Sequence, residues 1–329
     1  MYSKLSTFPL LRLPKDVNTK VISNMDIIEF IDLSILSKRA KDLVRSSNRK
    51  CTDFSVALGQ ECEGLIEFPT HQSDFDFYST NDEEDNFLKF DGLRIDGHQW
   101  RTKIVQNFTM KSWLNHLLCI FHCNQICLRI ANSTADIELI RALLNWIKLD
   151  CLILEEGIGR EYAEKILQHL PYTNVFINHV RIGHKEFSKI NIQHMWSFHL
   201  EENQDVSLND LLLNNSKILE IRKASLTPRA LNRFLKLWTN NQTNPNLQWI
   251  IITSLVNIDL YDSKRVKNEV MDGIPHQIVT IQELKQSHAL YNEFRDVPRT
   301  DGLMIHRKDG TKAAVHLNGF NWFQMIRLN

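Results

Sequence analysis

Cys119, Cys123 and Cys127 stand four residues apart with His116 and His122 beside them, and these are the residues of the chain best spaced for chemistry. Thiolates and imidazoles are zinc's preferred ligands, and an activated thiol would instead be a redox or nucleophilic centre. Helical spacing puts Cys119 and Cys123 on one face with His116 nearby. Cys127, however, falls in the next predicted strand, and no C-x-x-C pair exists to make a compact zinc corner. Small thiols packed in a core fit the pattern better than a metal or thiol centre. Gly157-Ile158-Gly159 precedes a predicted helix but lacks the third glycine, or the following Lys-Ser or Lys-Thr, of a phosphate loop, so it reads as a strand-to-helix turn. The thirteen histidines are scattered, and no Ser-His-Asp order or nucleophile elbow is present. A non-enzymatic chain with no cofactor and no metal is the expectation.

The elements around these residues begin with a basic N-terminal run. Residues 1–50 hold 10 Lys or Arg against 5 Asp or Glu, and the remainder holds 29 against 34, although the whole chain of 329 residues is neutral. Such blocks are read as solvated faces, and no basic run is interleaved with stacking aromatics as nucleic-acid binding would require. Pro14 suits a helix start, because its missing N–H would be an orphan donor there. Val17, Val21, Ile22 and Met25 then recur at helical spacing, predicting one buried stripe. Asp26 can cap a second helix bearing Ile27, Ile28, Phe30, Ile31 and Leu33, apolar on more than one side. Ser34 or Ser37 can cap a third, in which Leu36, Ala40, Leu43 and Val44 face inward. Three helices this short bury too little surface to stand alone.

The ordered series Pro9-Leu10, Leu13-Pro14, Val17, Val21-Ile22, Met25, Leu33 and Leu36-Ser37-Lys38-Arg39 resembles the F-box. That resemblance implies an adaptor: F-boxes dock on the Skp adaptor subunit of Skp-cullin-F-box ubiquitin ligases and reach the cullin through it. The side chains it implies for docking are Leu10, Leu13, Pro14, Val17, Val21, Ile22, Met25, Leu33 and Leu36. The alternative is that the three helices only cap the domain that follows.

Beyond Lys50, FSVAL and GLIEF are candidate strands. The tract from Ser73 to Asn86 reads as a loop, because its acidic charge and turn-forming residues oppose regular structure. Gly92 to Val105 alternates like a strand pair, and Thr109 to His122 reads as a helix. A repeat then emerges. β-prone runs start at Ile126, Cys151, Asn174, Phe198, Ile218 and Leu247, with steps of 25, 23, 24, 20 and 29 residues. Leucine-rich-type strand and helix units recur at about 20–29 residues. Helical stripes lie between the strands: Ile137, Ile140, Leu144 and Ile147; Ala163, Ile166, Leu167 and Leu170; and Leu231, Phe234, Leu235 and Trp238, the last opened by the cap pair Thr227-Pro228. The stretch between Asn178 and Phe198 carries the poorest unit, and Ser207 to Leu213 has room for a short helix only. Units with one apolar strand face and one apolar helix stripe bury both only by stacking, which predicts an α/β solenoid whose open face holds other proteins.

The segment Ser207 to Thr253 is similar to the F-box-associated region that follows the F-box in a large nematode family. At the C-terminus, LMIHR, TKAAVHL and FNWFQMIRL read as a three-stranded meander turning at Asp309-Gly310 and Asn318-Gly319. Phe320, Trp322 and Phe323 are expected to pack against the last repeat.

The expected fold is therefore α/β: an F-box at 1–50, strands and an acidic linker at 51–91, leucine-rich-repeat-like units at 92–270 that include the F-box-associated region at 207–253, and a β cap at 271–329. No signal peptide or membrane-spanning run is visible, so the cytosol or nucleus is expected, with six free buried cysteines. The expected role is the substrate-recognition subunit of a ubiquitin ligase that binds a protein target, or else a leucine-rich-type scaffold without a ubiquitin role. Neither membrane nor nucleic acid is an expected partner.

Overall fold

The computed structural model describes residues 13–59, 62–79, 90–96, 101–132, 135–201, 206–224, 226–253, 263–287, 301–318 and 322–328. The chain forms two compact units, Met1–Asp150 and Cys151–Asn329, and is a mixed α/β protein with a helical N-terminal region. Leu10, Gly319, Phe320 and the end of the acidic tract, residues 80–86, lie outside the described residues.

The first unit opens with α1 (Lys15–Ser23), α2 (Ile27–Ile35) and α3 (Lys38–Ser46). Its sheet is open and runs in the order β6 (Gln125–Ile130), β1 (Asp53–Leu58), β2 (Cys62–Glu67), β3 (Gln72–Tyr78), β4 (Gly92–Ile95), β5 (Arg101–Ile104). All its pairings are antiparallel except β1 with β6. The helix α4 (Met110–Ile120) is capped by the Thr109 side chain, and α5 (Ile137–Leu144) follows β6. Gln72 to Tyr78 corrects the loop expectation for the acidic tract. Its alternation buries Ser73, Phe75 and Phe77 and turns Asp74 outward, so the carboxylates sit on the wet side of a strand. α5 corrects its predicted stripe in a smaller way: Leu143 is buried within the helix, and Ile147 lies beyond its end.

Not all six cysteines are free. Cys51 and Cys123 are joined as a disulfide, because the chain entering β1 runs beside the end of α4, where the Cys51 N–H donates to the Phe121 carbonyl at 3.2 Å. Cys62, Cys119, Cys127 and Cys151 remain thiols.

The second unit carries the strands β8 (Asn174–Asn178), β9 (Ser197–Glu201), β10 (Ile218–Arg222) and β11 (Trp249–Thr253), with β7 (Lys148–Leu154) leading into them. Its strands run in parallel from β7 to β11, and β15 (Trp322–Leu328), β14 (Lys312–Asn318), β13 (Gly302–His306) and β12 (His276–Val279) continue the sheet antiparallel. The expected meander is thus present. Phe323 is fully buried and Trp322 partly so.

Between the parallel strands lie α6 (Arg160–His169), α7 (His184–Asn191), α8 (Leu208–Leu213) and α9 (Pro228–Thr239). Gly159 caps α6 and Gly157 has φ 96°, the left-handed turn a strand needs to swing into its helix. The poor unit near Asn178 holds a full helix, α7, anchored by Phe187 and Ile190. Thr227 caps α9 through the Ala230 N–H. α10 (Ser263–Met271) and α11 (Ile281–Ser287) complete the unit.

Parity decides which side chains are buried. Leu152, Val175, Phe198, Leu219 and Ile250 form one buried row, and Leu154, Ile177, Leu200, Ile221 and Ile252 another, all 3% exposed or less. A second feature repeats in the turns from helix to strand. Asn191, Asn214 and Asn244 are all buried there. Asn214 Nδ2 donates to Asn191 Oδ1 at 2.8 Å, Asn191 Nδ2 to the Asp210 carbonyl at 2.6 Å, and Asn244 Nδ2 to the Asn214 carbonyl at 2.7 Å.

Close packing in the first unit generates a direct test. Gly64 faces Phe75 across β2 and β3, and a Cβ at Gly64 would sit 2.0 Å from the Phe75 ring, itself 2% exposed. Gly64→Ala is expected to destabilise by about 1–3 kcal/mol through overpacking. A urea midpoint unchanged from wild type would refute this account of the β2–β3 contact.

Candidate functional site

Of the three N-terminal helices, α2 and α3 are capped by side chains and α1 starts on a proline. Pro14 is the N-cap residue of α1, and its carbonyl accepts the Asn18 N–H at 2.9 Å. Asp26 and Glu29 form a capping box on α2, and Ser37, not Ser34, caps α3. Ser34 is buried instead, with its Oγ 2.7 Å from His116 Nε2 on α4. Its hydroxyl proton goes to the Ile31 carbonyl, so Nε2 of a neutral His116 is the donor to Ser34. Burial, with the Lys41 charge adding to it, lowers the His116 pKa to about 4.

Arg49, which nothing in the sequence pattern singled out, ties this helical module to the sheet of the first unit. Its guanidinium lies 5.4 Å from the Phe30 ring centre and 5.1 Å from that of Phe68. It donates to the Met25 carbonyl at 3.0 Å and reaches His71 Nε2 at 3.2 Å. Phe121 stacks on Phe30 and meets Phe68 edge-on. Asp32 on α2 pairs with Lys103 on β5.

The predicted docking side chains divide into two sets. Ile22 is fully buried and packs α1 from within, which corrects its expected outward role. Val17 and Val21 are 39% and 36% exposed, so the predicted buried stripe of α1 is also corrected: on a 100° step these two lie together, while Ile22 points well round the helix. Leu36 is 74% exposed because it sits at the C-cap of α2 and not inside α3, where Ala40 and Val44 alone are buried. Pro14 is exposed, and Leu13, Met25 and Leu33 are half-buried. The helical module therefore presents large apolar side chains to solvent.

A second candidate surface is the face of the second unit's strands opposite their buried rows. Register puts Phe176, His199 and Glu220 side by side, and Asn178, Glu201 and Arg222 in the next row. The Phe176 and His199 rings stack at 4.0 Å. His199 Nδ1 lies 2.9 Å from Glu220 Oε2, Arg222 Nε donates to Glu220 Oε1 at 2.7 Å, and Arg222 also donates to Glu201 at 3.0 Å. The hydrogen bond with His199, helped by Arg222 and opposed by burial, pulls the Glu220 carboxyl down to about 2. These residues could have been found in the sequence, as each is the middle of an apolar-x-apolar triplet: V-F-I, F-H-L and L-E-I.

The cysteine and histidine cluster does not assemble. His116 is engaged with Ser34, Cys123 with Cys51, and Cys127 is buried in β6, while His122 reaches the Arg45 carbonyl. Among the described residues no group of three or more His, Cys, Asp or Glu is arranged to hold a metal ion, and no helix is long and apolar enough to cross a membrane.

Comparison with known proteins bears on both surfaces. The F-box domain model matches residues 10–52, and the F-box associated model matches residues 186–252. The chain is similar to the F-box associated domain-containing protein sdz-33 of Caenorhabditis elegans, 24% identical over 311 residues that cover 94% of this chain and 93% of that protein. No solved structure matches it. The chain thus carries an F-box region followed by an F-box-associated region, an arrangement that fits an F-box protein of the nematode type. Both are binding families and not catalytic ones, and F-box domains in general bind the Skp adaptor that links them to a cullin.

The anchoring of α2 on α4 has a pH signature. The folded state keeps His116 neutral down to about 4, whereas an unfolded histidine takes up its proton near 6.5. The unfolded chain thus binds more protons between those values, and stability falls as pH drops from about 6.5 to 4, by on the order of 2 kcal/mol at pH 5 relative to pH 7. Buried His316 in the second unit, also lowered to about 4 by burial, adds a fall of the same sign. Urea unfolding of His116→Gln at both pH values is expected to show a clearly shallower pH dependence than wild type; an equal dependence would remove His116 as a cause.

Proposed function

We propose that this chain is the substrate-recognition subunit of a Skp-cullin-F-box ubiquitin ligase. The observation that carries the reading is that the region matched by the F-box model folds as three short helices with Val17, Val21 and Leu36 turned to solvent. Isolated apolar residues at a surface are ordinary, but here they occupy F-box positions on short helices already fixed from the inside by Ile22, Phe30 and Val44. In this reading Leu10, Leu13, Pro14, Val17, Val21, Met25, Leu33 and Leu36 meet the Skp adaptor. The adaptor brings the cullin.

The remaining chain is the target-holding part: strands and an acidic segment at 51–91, a leucine-rich-repeat-like solenoid over 92–270, and a β cap at 271–329. Support for the solenoid comes from the parallel strands at near-regular steps and from the row of buried asparagines in successive turns. A protein target held there gains a high effective concentration near the charged conjugating enzyme, so the rate gain is one of proximity and other subunits do the chemistry. The site of action is the cytosol or nucleus.

Co-purification of the full chain with a Skp adaptor tests this. Retention is expected for wild type and lost in Leu13→Ala/Pro14→Ala and in Leu36→Glu, the latter at a position exposed enough to leave folding intact. Ile22→Ala should instead lower the melting temperature, with a loss of about 2–5 kcal/mol. A folded wild-type chain that retains no adaptor, or one whose retention survives both surface variants, would leave the plain protein-binding scaffold as the reading.

A further inference from the structure

The open face of the second unit changes character at β10. On β11 and β15 it is largely apolar and closed over, with Trp249, Ile251 and Ile326 beside the buried Gln324 and covered by Val279 and by Leu284 of α11, and this cover reaches as far as Ile218. One strand further along, the same rows carry Glu220, His199 and Phe176, then Arg222 and Glu201. A missing apolar helix would find little to bury here. What the rows offer is an aromatic plate beside carboxylates.

Among the described residues, three carboxylates, Glu155, Glu201 and Glu220, share this face with one guanidinium, Arg222. The excess of negative charge repels phosphate backbones and attracts cations. Glu220, its side chain 17% exposed, is locked by His199 and Arg222 and stiffens the plate. Glu201 is different. Its side chain is 37% exposed, and Arg222 engages its Oε1 alone among the described residues, which leaves Oε2 to accept from outside. The half-buried Phe176 ring lies flat on His199, so the stack is pre-formed and costs a partner no ordering.

We propose that this face receives an extended segment of a partner protein presenting an arginine or lysine, with the cationic group laid against the Phe176–His199 stack and bonded to Glu201. Aromatic faces and carboxylates attract the same guanidinium or ammonium, and together they select it over a neutral side chain of similar size. The inference rests on the reading of the second unit as the target-holding part and is independent of adaptor docking.

The test uses the full chain and four fluorescein-labelled pools of peptides about nine residues long, matched in flanking Ala, Val, Leu and Ser and differing in a central Arg, Lys, Glu or Leu, a length that spans several strands. Fluorescence anisotropy at physiological salt is expected to give the Arg and Lys pools at least about tenfold tighter binding than the other two. Phe176→Ala should shrink that margin, and Glu201→Lys should abolish it, with only a small drop in melting temperature for the latter, because what it gives up is a part-exposed pair with Arg222. Equal affinity for all four pools, or a margin that survives Glu201→Lys, overturns the proposal. Adaptor retention read on the same samples separates the two ideas: retention lost with the margin intact sinks the ligase reading alone, and retention kept with no margin sinks this one alone.

Discussion

Side-chain parity in strands flanked by parallel neighbours is the constraint on which the second unit depends. A strand held on both edges has its backbone groups satisfied and its register fixed, so alternate side chains have no choice of face. Val175, Phe198 and Leu219 go inside together, and Phe176, His199 and Glu220 are carried out together. A slip of one residue would bury a histidine, a glutamate and an arginine while exposing leucines. The polar face is therefore specified by the same apolar residues that hold the sheet, and its geometry is as firm as the core beneath it.

The first unit solves a different problem. Its three short helices cannot bury themselves, and their stability is borrowed from the sheet and α4 through a few long-range contacts: Ser34 to His116, Phe30 to Phe121, and Arg49 lodged between Phe30 and Phe68. Such contacts fix the module from one side only. Away from those contacts Val17, Val21 and Leu36 stay uncovered.

Much of this was legible in the chain. The helix caps at Asp26, Thr109, Ser207 and Thr227 act as their residue types suggest, and all six predicted strands form, each starting within three residues of where its apolar run begins. The failures share a cause: local pattern cannot say what lies opposite. In the acidic tract the alternation of Phe75 and Phe77 was hidden by the carboxylates between them, and only pairing with β2 and β4 makes it a strand. Val17 and Val21 are apolar at helical spacing, but the core lies on the side of Ile22. Cys51 and Cys123 meet across 72 positions, a distance no spacing rule spans. The F-box series was readable because its order is long; Arg49 was not, because one arginine among many carries no pattern.

The buried asparagines of the helix-to-strand turns have a consequence of their own. Each amide is completed by a group on the neighbouring turn, Asn214 by Asn191 and Asn244 by Asn214. An amide stripped of its partner in a dry site is costly, so the row acts as a stitched seam and not as a set of separate rivets. No one of these turns can open without undoing the stitch of the next. Loss of order along this edge must therefore spread from one turn to the next, and a change at any one of the three asparagines is felt by its neighbours.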